Sequence, residues 1–268
     1  MFVVAIYSEK GGVAKSTTAI GLAGAAAARG MRVGVIDLDP RPTASAWLGA
    51  EPREPGLHVG AIIADAEPDG WAADIAVPCG WSAPSGIEVV PSSRQVALRE
   101  RSADVDDMAE GRLRASLAGW DRDLVLIDVP NRQGGSLLTN ALTAAQAVLV
   151  PLTLDEDGLQ SAQLSIDNAR KFAARSPWNP TLQIAGCVVT RVEVVEPKDA
   201  KRVRRELKEL ANDAKVPILG EIPKRVAVPE SRASEDWWGN YGTYKSAQDM
   251  TAAYDRLLAA LLARRPER

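Results

Sequence analysis

The chain has 268 residues, 46% of them hydrophobic and 25% charged, with a formal net charge of −3 at pH 7. That balance describes a soluble globular protein with an ample core, of a length for one large domain or two small ones. It argues against a globally basic nucleic-acid protein but leaves room for a local basic patch. His58 is the only histidine, and Cys79 and Cys187 are the only cysteines. They lie far apart, so neither a histidine-based zinc site nor a cysteine metal pair is expected.

The first apolar run, Phe2–Tyr7, reads as a strand, and an alanine-rich helix follows from about Lys15 to Arg29. Between them stands Ser-Glu-Lys-Gly-Gly-Val-Ala-Lys-Ser-Thr, residues 8–17. A glycine-bearing turn from a strand into a helix N-terminus, closed by Lys-Ser-Thr, builds a phosphate cradle. Free N–H groups and the helix dipole favour an anion there. In this reading Lys15 reaches the β/γ-phosphates of ATP and the Ser16 hydroxyl ligates Mg²⁺. Gly11, Gly12, Val13, Ala14 and Thr17 complete the cradle. The competing reading is a chance Gly-Gly turn with lysines nearby; it leaves the position between a strand and a helix unexplained.

Strand signals recur at Arg32–Ile36, Ile87–Val90, Leu124–Ile127, Ala147–Pro151, Ile184–Val189 and Val216–Ile222. Helical patterns fall at Ser136–Ala145, Gly158–Ala174, Ala200–Ala214 and Lys245–Ala263. Short continuous apolar strands alternating with helices predict an α/β fold: a doubly wound, mostly parallel sheet with helices on both faces. Its ligand belongs at the carboxyl ends of the strands. Residues 50–86, with Pro52, Pro55, Pro68, Pro78 and Pro84, read as an irregular insertion with one short helix near His58–Asp65. Residues 1–268 are therefore expected to form a single nucleotide-binding domain. No run has transmembrane length, and a strand beginning at residue 2 leaves no leader, so a cytoplasmic protein is expected.

The plain pattern GxxxxGK[ST] fails at Glu9 and Ala14. The segment resembles instead the deviant Walker A box of the ParA/MinD family, usually KGGxGK[ST], with Lys10 at the signature position. The resemblance implies a P-loop ATPase in which Lys10 reaches across a nucleotide-sandwich homodimer to the partner's phosphates. Ala14 departs from the pattern, because a glycine there tolerates a backbone conformation that a Cβ disfavours. Holding alanine in it costs on the order of 1 kcal/mol. Retained nucleotide binding with slow, partner-stimulated hydrolysis is the expectation.

Asp37-Leu38-Asp39-Pro40 leaves the second strand and resembles the family's DxDPQ box, with Arg41 in place of glutamine. The resemblance implies that Asp39 orients or activates the attacking water and that Asp37 supports the Mg²⁺ shell. The alternative is an aspartate capping a helix at Thr43. Leu124–Asp128 has Walker B form, and Asp128 would hold the Mg²⁺ waters. Val129-Pro130-Asn131 departs from the usual Thr-Pro-Pro. Thr190, at a strand end that usually borders the base, and Pro223, in a segment resembling Ile-Pro-Arg, are implied adenine neighbours.

From Lys198 to Arg225 there are nine Lys or Arg against five Asp or Glu. Lys201, Arg202, Arg204, Arg205 and Lys208 cluster on one helix, with Lys224 and Arg225 beyond it. Family resemblance makes all of these but Lys208 the candidates for sequence-blind contact with DNA phosphates. The competing reading is a solvated helix face with Glu206 and Glu209 pairing locally. The resemblance thus implies an ATP-dependent homodimer of the short plasmid type, nucleoid-associated. It would position a DNA cargo with a ParB-like or centromere-binding partner. A MinD-like membrane-cycling ATPase and a positioner of protein cargo are the alternatives. The apolar stripe Leu257, Leu258, Leu261 and Leu262 is expected to pack on the sheet, so no stable membrane association is expected. Scattered cysteines do not fit a cluster-bearing iron protein of nitrogenase type. A dethiobiotin-synthetase-like ligase is not expected to carry Lys10, and four tyrosines do not fit a bacterial tyrosine kinase.

Overall fold

The computed structural model describes residues 1–98, 109–193 and 199–266; Lys198, the first residue of the basic stretch, lies outside them. The strands are β1 (Phe2–Ile6), β2 (Val33–Asp37), β3 (Val77–Pro78), β4 (Ile87–Val90), β5 (Leu124–Asp128), β6 (Ala147–Leu152), β7 (Gln183–Val192) and β8 (Ile218–Pro223). They form one sheet in the order β3-β4-β2-β5-β1-β6-β7-β8. All neighbouring pairs are parallel except β3 with β4. Among the described residues the helices are α1 (Lys15–Ala28), α2 (Thr43–Trp47), α3 (Val59–Ala64), α4 (Trp71–Ile75), α5 (Arg112–Ser116), α6 (Ser136–Ala144), α7 (Glu156–Arg175), α8 (Ala200–Asp213), α9 (Ala227–Ser234) and α10 (Lys245–Leu262).

The core is divided by the sheet. Successive β1 side chains alternate between its faces: Val3 and Ala5 join the cluster beneath α3–α8, while Phe2, Val4 and Ile6 join the one beneath α1 and α10. Every residue of β1, β2 and β5 is buried, which is why these strands read as continuous apolar runs rather than alternating ones. The predicted elements are recovered with small shifts at their ends. The insertion is more ordered than expected: besides α3 it holds α4 and the short antiparallel edge strand β3. Its prolines and glycines mask that structure, because five-residue helices and two-residue strands are too short to set up a period.

The leucines of α10 are accounted for by packing. Leu257, Leu258 and Leu261 are fully buried, together with Tyr254. No helix among the described residues is long and apolar enough to cross a membrane.

Candidate nucleotide-binding site

The carboxyl ends of β1, β2, β5 and β7 bring the motifs to one edge. The turn after β1 passes through Gly12 at φ +79° and Ala14 at φ +62°, ψ +37°. Ala14 therefore occupies the left-handed region where a Cβ is strained. The first hydrogen bond of α1 runs from the Thr18 N–H to the Ala14 carbonyl (2.8 Å), leaving the earlier amides aimed at whatever sits in the turn. Lys15 is 9% exposed, and its ammonium donates to the Lys10 carbonyl at 3.2 Å. Burial lowers its pKa; Asp128 and Asp39 pull it back up.

Helix α7, which the motif reading missed, braces this loop. The Lys10 N–H donates to Ser161 Oγ at 2.8 Å and the Glu9 N–H to Ser165 Oγ at 3.1 Å; the Ser8 hydroxyl lies 3.2 Å from that of Ser161. The Asn168 amide donates to the Glu9 carboxylate. These residues fall at i, i+4 and i+7, a polar stripe on a helix face that could have been found from spacing alone. The Lys10 ammonium lies 2.5 Å from Asp155, the N-cap of α7, and 3.9 Å from Asp157. At the end of β7 the Thr190 hydroxyl donates to the Val13 and Leu152 carbonyls (3.1 and 3.0 Å). The Arg191 guanidinium donates to the Gly12 carbonyl at 3.0 Å.

The carboxylates divide their work. Asp37 is fully buried and accepts from the Asp39 N–H (3.1 Å) and from the Ser45 N–H and hydroxyl (both 2.8 Å). It thus anchors α2 through Ser45, while the N-cap position itself is Pro42 and makes no side-chain cap bond. Asp128 is its register partner across β2 and β5. Burial, and then Asp128, push the Asp37 carboxyl well above the usual carboxylate range. Burial also raises Asp128, against the opposing pull of Ser16 and Lys15. Ser16 is close enough to lower its pKa, yet among the described residues neither Asp128 oxygen meets hydrogen-bond geometry, an expensive arrangement for a buried carboxylate unless a ligand completes it. An Mg²⁺ shell between Asp128 and Ser16 fits that unfilled capacity, and the left-handed turn fits a phosphate. The side-chain amide of Asn131 lies against Gly11, where a Cβ would meet it at 3.2 Å.

Pro223 ends β8 opposite Val192, one strand beyond Thr190. The expected DNA-contacting cations are largely paired. Arg202 bonds Glu156 (2.5 Å) and Glu206 (2.8 Å), and Arg204 bonds Glu221. Arg205 is 4.0 Å from Glu209, Lys224 is 2.6 Å from Glu193 and Arg225 is 2.9 Å from Asp249. Lys201 is exposed.

A doubly wound sheet with a lysine-closed phosphate turn, and two acidic strand ends beside it, defines a P-loop nucleotide-binding protein. Residues 4–236 match the CobQ/CobB/MinD/ParA nucleotide binding domain, and the chain belongs to that family, as a ParA/Soj-type ATPase that uses ATP and Mg²⁺. It is 33% identical over 239 residues to the chromosome partitioning protein ParA of Caulobacter vibrioides, covering 85% of this chain and 83% of that one. Cobyrinic acid a,c-diamide synthase from Mycobacterium smegmatis, solved with ADP and magnesium, is similar in structure. Its TM-score is 0.76 at 26% identity, covering 98% of this chain and 94% of that one. An ATP complex of Cyanothece McdA shares the fold, with a TM-score of 0.83 at 21% identity over 97% and 96% of the two chains.

Proposed function

We propose that this ATPase dimerises on ATP, binds DNA without sequence preference and positions or segregates a DNA cargo, with a partner protein on the cargo stimulating hydrolysis. The chain acts as one nucleotide-binding unit over residues 1–268. The observation that carries the reading is Lys10. It stands at the mouth of the loop, held by the surface carboxylates Asp155 and Asp157 rather than by the loop itself. A lysine so placed can exchange those partners for phosphates of a second subunit. The first match among named relatives to a partitioning protein over 85% of the chain supports the same direction.

In this reading Lys15 neutralises the β/γ-phosphates, and Ser16 with Asp128 holds the Mg²⁺ shell. Asp37 fixes the second box from behind, and Asp39 orients the attacking water. Thr190 and Pro223 border the base. Held there, Mg²⁺ would offset the negative charge of the phosphates. DNA meets the cations of α8 with Lys224 and Arg225. The buried stripe of α10 argues against the membrane-cycling alternative.

The test is a mobility shift on unrelated duplexes at two salt concentrations, with ATP, with ADP and without nucleotide. Binding is expected only with ATP, falling steeply with salt, and lost in the double variant Arg202→Glu, Arg205→Glu with ATP binding intact. Equal binding in all three states breaks the switch. No binding in any state favours a protein cargo or a membrane.

A further inference from the structure

We propose that Arg41 is a phosphate-binding residue of this site: its guanidinium engages the γ-phosphate of ATP held in the chain's own loop, so that the site discriminates a nucleoside triphosphate from a diphosphate. The inference rests on the ATP-binding reading of the loop and adds a residue to it.

The backbone around Arg41 is fixed while its side chain is not. The Asp39 N–H donates to Asp37 at 3.1 Å, the Arg41 N–H to Asp39 at 2.9 Å and the Thr43 N–H to the Arg41 carbonyl at 2.5 Å. These links tie the start of the side chain to the acidic edge of the sheet. The side chain itself is 84% exposed and, among the described residues, makes no hydrogen bond; Nε lies 4.0 Å from the Asp39 carboxylate. Lys15 bonds the Lys10 carbonyl and Arg191 the Gly12 carbonyl within the loop; Arg41 adds to them a cation that reaches in from the second acidic box.

The charge balance of the edge gives this residue a task. Asp39 stands at that edge beside the buried Asp37 and Asp128, and a γ-phosphate brought next to it concentrates negative charge there. Lys15 and Mg²⁺ offset part of it. A guanidinium free to swing from Asp39 onto the terminal phosphate offsets more, with a fork geometry suited to phosphate oxygens. A diphosphate ends one group short of that reach. The competing account is a solvated arginine that screens Asp39 and touches no ligand.

Calorimetric titration of a non-hydrolysable ATP analogue and of ADP, each with Mg²⁺, into wild type, Arg41→Gln and Arg41→Lys decides between them. Light scattering is recorded alongside, and each titration is run at two protein concentrations. Arg41→Gln is expected to weaken the triphosphate roughly ten- to hundredfold while changing ADP by less than about threefold. Arg41→Lys is expected to recover part of the loss. Melting curves unchanged among the three proteins exclude misfolding as the cause. Equal losses for both nucleotides, or none for either, overturn the proposal. A triphosphate loss that appears only where scattering reports dimers puts the guanidinium on a second copy, and overturns the same-chain assignment. Failure of wild type to bind either nucleotide takes down the site reading and Arg41 with it.

Discussion

The phosphate loop and helix α8 both carry clustered cations, and they hold them in opposite ways. Around the loop, Lys15 is nearly buried and bonded to a backbone carbonyl, and the backbone itself is pinned by Ser161 and Ser165. Along α8, Arg202 and Arg205 pair with carboxylates on the protein's own surface, and Lys201 faces solvent. The loop is organised in advance for one anion in a low-dielectric setting, where a misplaced charge is costly. The helix face is self-neutralised by exposed pairs worth about 0–1 kcal/mol each. A polyanion can displace such pairs at little cost, but the resulting contacts are readily screened by salt. Specific chemistry belongs to the first region and exchangeable contact to the second.

The sharpest way to break this contrast is to remove one cation from each side. Lys15→Ala is expected to lower ATP affinity by roughly a hundredfold or more, because a buried charge partner of the phosphates is lost. Lys208→Ala, on the exposed face of α8, is expected to leave it unchanged. Equilibrium titration with a fluorescent ATP analogue checks both, and comparable losses would dissolve the distinction.

Asp128→Asn probes how much the loop region gives up for its function. Burial raises the pKa of both Asp37 and Asp128 in the folded protein. The folded state therefore keeps protons that the unfolded chain releases above about pH 4. Stability of the nucleotide-free protein declines as pH rises from there towards the raised folded values. A neutral amide removes the Asp128 share of that decline. The variant is expected to melt about 2–4 °C higher than wild type at pH 8 without nucleotide and to lose Mg²⁺-dependent hydrolysis. A lower melting temperature would mean that the attraction between Asp128 and Lys15 outweighs the burial penalty.

Ala14→Gly has the smallest expected effect. It relieves about 1 kcal/mol of left-handed strain, raising nucleotide affinity or turnover a few-fold with the fold unchanged. A neutral result would show that the turn is held by its neighbours and not by residue 14.

Much of this was legible in the sequence because the informative features are local. The apolar strands, the Gly-Gly turn with its lysines and the aspartates ending β2 and β5 are each readable within about ten residues. Even the strain at Ala14 follows from the departure of one residue from a pattern. The brace from α7 was not legible in the same way, since Ser161 meets Lys10 only across 151 residues of chain and serine on a helix face usually faces water. The dual state of Asp37 was also hidden. Sequence offered either a metal-shell residue or a helix cap, whereas the side chain anchors α2 through Ser45 while facing Asp128 across the sheet. The pairing of the α8 cations was half visible: the i,i+4 partners Glu206 and Glu209 could be read off, but Glu156 and Glu221 could not.

Helix α1 has one more property with a consequence for how the molecule comes into being. Gly21 and Gly24 leave hollows that are filled from the far end of the chain: a Cβ at either position would lie 2.4 Å from the ring of Tyr254 or Trp237. The Tyr254 hydroxyl also donates to the Thr17 carbonyl at 3.1 Å. The phosphate loop is therefore made well before its backing, and the helix behind it stays unclad until residues 237–261 have been made. A nascent chain holding every residue of the loop still lacks the aromatic wall behind it, so competence to bind nucleotide waits for residues roughly two hundred positions downstream of the motif.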